Sequence, residues 1–141
     1  VDYSADAVAL AEKNRRALEF DYVSILQSDW FSAVPAQAFD VIVSNPPYID
    51  PQDHHLEQGD VRFEPRSALV AGNHGLADIE LIIRDSWNYV AEGGWLLLEH
   101  GYDQGESVRA LLRARGFIAV ETRCDFGGNE RVSLGKKKEQ S

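Results

Sequence analysis

Apolar residues along the chain recur in two spacings, which alternate from the N-terminus to the C-terminus. Short runs of β-branched and aliphatic residues predict strands, and apolar positions three and four apart predict amphipathic helices. After a strand stub at Val1 and Asp2, the predicted strands are 23–27, 39–44, 95–99, 117–124 and 131–134, and the predicted helices are 7–18, 76–90 and 105–115. This order predicts an α/β fold with a mostly parallel sheet and a terminal antiparallel hairpin.

The hydrophobic pattern also makes predictions about burial and connections. The strand at 95–99 is apolar enough to be buried on both faces. Gly93 and Gly94 are interpreted as the end of the preceding helix, and Gly127 and Gly128 as residues of the hairpin turn. From 49 to 75 the periodicity stops in a long polar segment, and segments of that length within compact domains are usually functional or disordered.

Composition limits the classes of protein to which this chain can belong. The 141 residues, 44% of them hydrophobic, are expected to form one globular domain with a buried core. The 23 acidic and 14 basic side chains give a net charge of −9, which argues against direct nucleic-acid binding because that needs clustered lysine and arginine. The basic run Lys136–Lys138 is interpreted as part of a polar tail at 136–141, so the domain is assigned to 1–135.

Cysteine and histidine usage gives no sign of a disulfide or a metal. Cys124 is the single cysteine, and we expect it to be a buried apolar residue in a reducing compartment. His54, His55, His74 and His100 do not have the spacing of a zinc motif, so we expect packed or solvated histidines. No apolar run approaches membrane-spanning length and no signal peptide is visible, so we expect a cytoplasmic protein without membrane contact.

The tetrapeptide Asn45-Pro46-Pro47-Tyr48 directly follows the predicted strand at 39–44, and open α/β sheets bind ligands at the carboxyl ends of their strands. The prolines fix φ and donate no N–H bonds, so we expect a stiff loop with free carbonyl oxygens. Such a loop can hold a planar –NH2 group. The carbonyl oxygens of Asn45 and Pro46 accept its two hydrogens, and the Tyr48 ring packs on its plane. The competing interpretation is a proline-rich turn that only ends the strand.

The start of the chain departs from a complete doubly wound fold. Such folds normally begin with a strand that enters a glycine-rich turn at a helix N-terminus. No glycine precedes Asp29, and Val1 and Asp2 are typical of the end of a second strand. We therefore expect a sheet that lacks its first strand and the glycine-rich loop.

Several segments together resemble the HemK/PrmC family of class I S-adenosylmethionine-dependent methyltransferases. In chain order they are Val1-Asp2-Tyr3-Ser4, Ser28-Asp29-Trp30-Phe31, Ile42 to Ile49, Gln58 to Pro65, Leu97 to Gly101 and Asn129 to Val132. The Asn-Pro-Pro-Tyr motif is shared with amino-methyltransferases of DNA and RNA, and the Phe63-Glu64-Pro65 segment narrows the match. The resemblance implies a Rossmann-like fold and N5-methylation of the glutamine in the Gly-Gly-Gln motif of peptide chain release factors, with a role in translation termination.

The resemblance implies that Asp2, Asp29, Trp30 and Asn45 bind S-adenosyl-L-methionine. Asp2 can accept hydrogen bonds from the ribose hydroxyls, although it can also cap the following helix. Asp29 can accept from the adenine amino group, and Trp30 can supply an apolar wall, with ordinary core packing as the alternative for Trp30. The net positive charge of S-adenosyl-L-methionine suits an acidic pocket.

The predicted catalytic residues are Asn45, Pro46 and Tyr48. A carboxamide nitrogen is a poor nucleophile because its lone pair is delocalised into the carbonyl, so catalysis would come from orientation and charge placement without a general base. Asn45, Pro46, Pro47, Tyr48, Arg62 and Glu64 are the predicted substrate-binding residues. A surface ion pair is the alternative interpretation of Arg62 and Glu64.

Two other functions remain open at the level of sequence. A methyltransferase acting on an exocyclic amine of adenine or guanine in nucleic acid fits the tetrapeptide equally well, but the acidic charge argues against it. The missing glycine-rich loop instead suggests a non-catalytic fragment that binds a partner without a cofactor.

Overall fold

The computed structural model describes residues 1–46 and 75–139. The elements in chain order are α1 (Ala5–Ala17), β1 (Phe39–Ser44), α2 (Ala77–Ser86), β2 (Val90–Glu99), α3 (Gly105–Arg115), β3 (Ile118–Cys124) and β4 (Glu130–Lys136). The chain divides into two compact units, Val1–Gln37 and Ala38–Ser141, which are described separately below. Within the described residues, no helix combines the length and the apolar character needed to cross a membrane.

The first unit contains α1 and a single parallel bridge between Asp2 and Gln27. Ser4 caps α1, because its hydroxyl accepts the backbone N–H of Ala7 at 3.3 Å. The predicted strand at 23–27 is reduced to that bridge. A strand needs a partner along its whole length, and the backbone of Asp2 pairs only with Leu26 and Ser28 on either side of Gln27.

The second unit contains a four-stranded sheet in the order β1-β2-β4-β3. β1 and β2 are parallel, whereas β4 is antiparallel to both β2 and β3. The predicted terminal hairpin is therefore confirmed. The described sheet is mixed, with one parallel and two antiparallel pairings, because β4 lies between β2 and β3, and this agrees with the predicted Rossmann-like α/β fold.

Gly93 and Gly94 lie inside β2 and do not end a helix as predicted, since α2 ends at Ser86. Gly93 has φ +78°, and a Cβ at Gly94 would lie 2.7 Å from the carbonyl oxygen of Asp40. The pairing with β1 also shifts register before Trp95. The two glycines thus form a bulge that lets β1 approach β2 closely.

β2 alternates between a buried and a half-buried face. Leu96 and Leu98 are fully buried, whereas Trp95 and Leu97 are half-buried. The prediction that this strand is buried on both faces is therefore wrong. Its buried residues belong to the main core, whose apolar members are Ile79, Ile82, Ile83, Val90, Leu96, Leu98, Val108, Leu112, Phe117 and Leu134.

The C-terminal strand is longer than the predicted boundary at 135. β4 continues through Lys136, and the backbone of Lys137 exchanges hydrogen bonds with Gly93 and Gly94 at 2.7 and 2.9 Å. The side chain of Lys137 donates to the carbonyl oxygen of Trp87 at 2.7 Å and lies over its ring. Strand pairing therefore continues past the predicted domain boundary at 135, because Lys136 and Lys137 make main-chain pairs.

Cys124 is exposed at the end of β3, which contradicts the expectation that it is buried. Edge-strand position accounts for the difference, since β3 pairs only with β4 among the strands that the structure describes. Its apolar character alone did not determine which face of the strand it would occupy.

Candidate active site

Asn45 and Pro46 lie immediately beyond the carboxyl end of β1. Ser44, the last residue of the strand, is in register with Leu98 of β2, and the two strands are parallel. Asn45 is exposed, whereas the side chain of Pro46 is fully buried. The buried proline anchors the chain directly after an asparagine whose carboxamide faces solvent. This placement agrees with the predicted position of a ligand site at a strand end.

The rest of the predicted substrate site lies outside the described residues. Pro47 and Tyr48 follow Pro46 directly, and Arg62 and Glu64 belong to the long polar segment. Their assignments to substrate binding, and that of Tyr48 to catalysis, stay predictions.

Asp2 and Asp29 belong to the first unit and follow neighbouring backbone segments. The parallel bridge between Asp2 and Gln27 places Asp29 two residues beyond the bridged position. Both aspartates are exposed. One oxygen of Asp2, Oδ1, accepts the backbone N–H of Ser4 at 2.9 Å, so Asp2 holds the turn before α1, whereas Ser4 itself caps the helix.

The turn that contains Asp29 and Trp30 is held by Ser28, a residue that sequence reasoning did not single out. The Ser28 hydroxyl is buried, donates to the carbonyl oxygen of Trp30 at 2.7 Å and accepts the N–H of Ala33 at 3.0 Å. Trp30 is half-buried and has φ +53°, a left-handed backbone that is unusual for a bulky side chain. The assignment of Asp29 and Trp30 to cofactor binding stays a prediction.

His100 directly follows β2, the strand that is parallel to β1. Ser44 at the end of β1 pairs with Leu98 of β2, and Pro46 and His100 each lie two residues beyond this last pair. His100 is fully buried, which confirms a packed histidine. Its Nε2 lies 2.7 Å from the Ser133 hydroxyl and its Nδ1 lies 2.9 Å from the carbonyl oxygen of Gly101.

Burial lowers the pKa of His100 below its usual value, because the protonated ring would lose its hydration. The hydrogen bond to Gly101 and the charge of Glu130 oppose this shift, and the charges of Arg131 and Arg109 add to it. The ring is therefore neutral at physiological pH. The sequence signal for such a residue is a histidine at the end of an apolar strand. The spacing of metal-binding motifs, by which the histidines were judged, does not detect it.

No group of three or more histidine, cysteine, aspartate or glutamate side chains in residues 1–46 and 75–139 could hold a metal ion. The site chemistry offered by these residues is therefore that of exposed carboxylates in the first unit and an exposed carboxamide in the second.

Comparison with known proteins relates these features to methyltransferases. Residues 1–63 match the family described as "Methyltransferase small domain". The chain is 59% identical over 136 residues to the release factor glutamine methyltransferase of Salmonella typhimurium, covering 96% of this chain and 49% of that protein. It is 57% identical over 136 residues to the protein of the same name from Escherichia coli, with the same coverage of each chain.

Two solved structures show the same fold at low sequence identity. A ribosomal protein L11 methylase from Lactobacillus delbrueckii matches with a TM-score of 0.62 at 14% identity, covering 98% of this chain and 56% of that one. The S-adenosylmethionine-dependent methyltransferase SibL matches with a TM-score of 0.62 at 14% identity, covering 99% of this chain and 43% of that one. The fold is that of the class I S-adenosylmethionine-dependent methyltransferases.

The alignments to the curated relatives cover nearly all of this chain but only part of each relative. The chain spans about half the length of the curated relatives it matches. The aligned 136 residues make up 96% of the chain and include the segment that contains Asn45 and Pro46. This chain is a homologue of the release factor glutamine methyltransferases over nearly all of its own length and about half of theirs.

Proposed function

We propose that the protein methylates N5 of the glutamine side chain in the Gly-Gly-Gln motif of peptide chain release factors, with S-adenosyl-L-methionine as the methyl donor. The observation that carries this proposal is the exposed carboxamide of Asn45, set directly before the buried Pro46 at the carboxyl end of β1. The release factor glutamine methyltransferases, identical at 57–59% of aligned positions in two relatives, supply the substrate class.

The described residues of the first unit fit the chemistry of the methyl donor. The exposed carboxylates of Asp2 and Asp29 can accept hydrogen bonds from ribose hydroxyls and from an adenine amino group, and their charge suits a cation. Trp30 would contribute its ring to the nucleoside pocket. When bound, S-adenosyl-L-methionine supplies an electrophilic methyl group.

Asn45 and Pro46 would act on the substrate glutamine by orientation. The Asn45 side-chain oxygen and the Pro46 main-chain carbonyl can accept the two N–H bonds of the glutamine amide. Held in this way, the amide nitrogen is kept in one orientation and its delocalisation into the carbonyl is weakened. Orientation of this type can supply much of the rate enhancement. Methylation would replace one amide hydrogen by a methyl group: the N–C bond forms as the sulfur–methyl bond breaks, S-adenosylhomocysteine is released, and the proton is then lost to water, so no general base has to act first. Tyr48 is proposed to pack on the plane of the amide, and Pro47, Arg62 and Glu64 to contact the protein substrate.

The substrate class places the proposed reaction in translation termination, and therefore in the cytoplasm. Release factors are the proposed protein partners. The acidic charge of −9 makes direct binding to nucleic acid unfavourable, because the phosphate backbone would be repelled.

A competition between substrate classes tests this proposal. The full-length protein is incubated with S-adenosyl-L-methionine labelled in the methyl group, together with unmethylated release factor and with single- and double-stranded nucleic acid. We expect label in the release factor and none in the nucleic acid. Label in the nucleic acid instead would contradict the proposed function, and a release factor with alanine in place of the motif glutamine serves as the matched control.

A further inference from the structure

A continuous chain of hydrogen bonds connects α3 to the carboxyl end of β2. Nη1 of Arg109 donates to the Thr122 hydroxyl at 2.7 Å, and that hydroxyl lies 2.6 Å from the Ser133 hydroxyl. Ser133 lies 2.7 Å from Nε2 of His100, and Nδ1 of His100 lies 2.9 Å from the carbonyl oxygen of Gly101. The chain is named the Arg109–Gly101 relay below.

The chemistry of its two ends fixes the direction of every hydrogen bond in the relay. A carbonyl oxygen can only accept, so Nδ1 of the neutral His100 ring must carry the hydrogen that faces Gly101. Nε2 is then an acceptor, and the Ser133 hydroxyl donates its single hydrogen to it. Thr122 must therefore donate to Ser133, which agrees with its acceptance of an N–H from Arg109, a group that can only donate.

The relay ends where β2 lies beside the candidate site. The N–H of His100 donates to the carbonyl oxygen of Arg131 at 2.8 Å, and the N–H of Gly101 donates to Oε1 of Gln104 at 2.8 Å. Both main-chain and side-chain bonds thus hold the chain immediately after β2. The buried Pro46 lies two residues beyond Ser44, the last residue of the neighbouring parallel strand, and His100 lies two residues beyond Leu98, the register partner of Ser44.

We propose that His100, as the neutral Nδ1–H tautomer, is a positioning residue that holds the carboxyl end of β2 as a rigid support for Asn45 and Pro46. The inference rests on the proposed function, because positioning has meaning only for a reaction at Asn45. A second proton on His100 would place a donor at Nε2 opposite the Ser133 hydroxyl, and the hydroxyls of Ser133 and Thr122 would have to turn.

The surroundings of His100 favour the neutral ring. The charged groups near it are Glu130 and Arg131 of β4 and Arg109 of α3. Glu130 is engaged with Arg109 at 3.0 Å, so its charge is partly compensated. Burial is the largest influence and disfavours the protonated ring.

The tautomer is measured first, because this readout does not depend on activity. Two-bond proton–nitrogen correlation spectra are recorded on the full-length protein labelled with 15N-histidine, and the His100 signals are assigned by their loss in His100→Gln. We expect the Nδ1–H tautomer from about pH 7 to about pH 8, above the ordinary pKa of histidine. An Nε2–H tautomer, or a ring protonated in this range, would overturn the proposal.

A matched pair of substitutions at Thr122 then tests the positioning role. Thr122→Val keeps the shape and removes the hydroxyl, whereas Thr122→Ser keeps the hydroxyl and breaks nothing in the relay. We expect Thr122→Val to lower kcat by about tenfold with little change in KM for S-adenosyl-L-methionine, as for loss of one buried hydrogen bond, and Thr122→Ser to stay within about twofold of the wild type.

The outcomes separate the two proposals. Wild-type kcat in a folded Thr122→Val variant would refute the positioning role and leave the proposed function intact. A wild-type protein that transfers no methyl group to release factor would refute the proposed function itself. If Thr122→Val does not fold, the tautomer measured on the wild-type protein still decides whether the relay has the inferred direction.

Discussion

At the scale of single residues, Asp2 combines a local structural role with its proposed contact to the ribose. Its Oδ1 already accepts the N–H of Ser4, so removal of the whole side chain changes both the turn and the binding site. Asp2→Asn separates the two effects, because the amide oxygen can still accept from Ser4 while the negative charge is lost. Asp6, an exposed aspartate in the first turn of α1, offers a control outside the proposed contact.

We predict that Asp2→Ala weakens binding of S-adenosylhomocysteine to the full-length protein by about 10- to 150-fold, which corresponds to loss of hydrogen bonds to a charged group. Asp2→Asn should weaken it less, and Asp6→Ala should leave it unchanged. Isothermal titration calorimetry gives the dissociation constants. An unchanged constant in Asp2→Ala would contradict the ribose assignment.

His100 gives the fold a pH dependence of its own. Its pKa in the folded state is lowered from 6.5, so below about pH 6.5 the unfolded chain takes up a proton that the folded chain does not. Stability should therefore fall as pH drops from 6.5 towards the lower folded pKa and level off below it. The lowered pKa of Glu12, about 2 in place of 4.5, acts in a separate and more acidic window.

The prediction is tested by denaturant unfolding of the wild type and of His100→Gln between about pH 7.5 and about pH 5. Over this range the unfolding free energy of the wild type should fall more steeply with decreasing pH than that of the variant. The difference in slope should correspond to at most about one extra proton bound by the unfolded chain. The difference isolates His100 from the other histidines. Equal slopes in the two proteins would show that the folded-state pKa of His100 is not lowered.

Among the helices and strands, the sequence predicted best the ones that have a clear hydrophobic periodicity within their own residues. The helix predicted at 105–115 is α3, and the strand predicted at 39–44 is β1. Elements defined by a partner were missed. The run at 23–27 pairs only at Gln27, and Gly94 lies in a bulge at which the backbone of β1 approaches closely.

The same distinction applies to the candidate site. Asn45 was predictable because its motif and its strand are adjacent in sequence. The relay at His100 was not, since it depends on hydrogen bonds between residues far apart in the chain, such as His100 and Ser133, which are 33 positions apart. Ser28 makes local hydrogen bonds to Trp30 and Ala33, but the apolar pattern contains no signal for them. Hydrophobic spacing carries no information about such pairs.

The correction at the end of β4 leads to a prediction about truncation. Removal of 136–141 deletes the backbone pairs of Lys137 with Gly93 and Gly94 and its side-chain bond to Trp87. At about 1 kcal/mol for each net hydrogen bond, the loss should be about 2–3 kcal/mol of unfolding free energy. Removal of 139–141 alone keeps these bonds and is the matched control.

Chemical denaturation with the two truncated chains measures this effect. We expect a lower midpoint for the chain ending at Gly135 and a nearly unchanged midpoint for the chain ending at Lys138. Equal midpoints would mean that Lys136 and Lys137 behave as the solvated tail that the sequence suggested.

At the scale of the whole molecule, β1 presents an apolar strand face to solvent. Val41 and Val43 are 54% and 72% exposed, and among the strands that the structure describes β1 pairs only with β2. An unpaired strand edge with apolar side chains favours association with another chain. The isolated chain of 141 residues is therefore expected to self-associate. We also expect it to bind S-adenosyl-L-methionine weakly, because the segment before Asp29 contains no glycine-rich loop to hold the methionine end.

Sedimentation velocity over a range of concentrations tests this expectation, with Val43→Lys as the comparison variant. The wild-type chain should show a concentration-dependent sedimentation coefficient, and Val43→Lys should reduce it, because a charge on a strand edge opposes pairing. A monomer at all concentrations that also binds the methyl donor at micromolar levels would contradict the expectation.

The central claim is that Asn45, at the end of β1, orients a glutamine amide for methylation. Tandem mass spectrometry of release factor after incubation with S-adenosyl-L-methionine and the full-length protein tests it most directly. We predict one added methyl group on the glutamine of the Gly-Gly-Gln motif, lost by orders of magnitude in initial rate with Asn45→Ala and retained with Asn88→Ala, an exposed asparagine before the amino end of β2. Methylation at another residue, or a wild-type rate with Asn45→Ala, would contradict the claim.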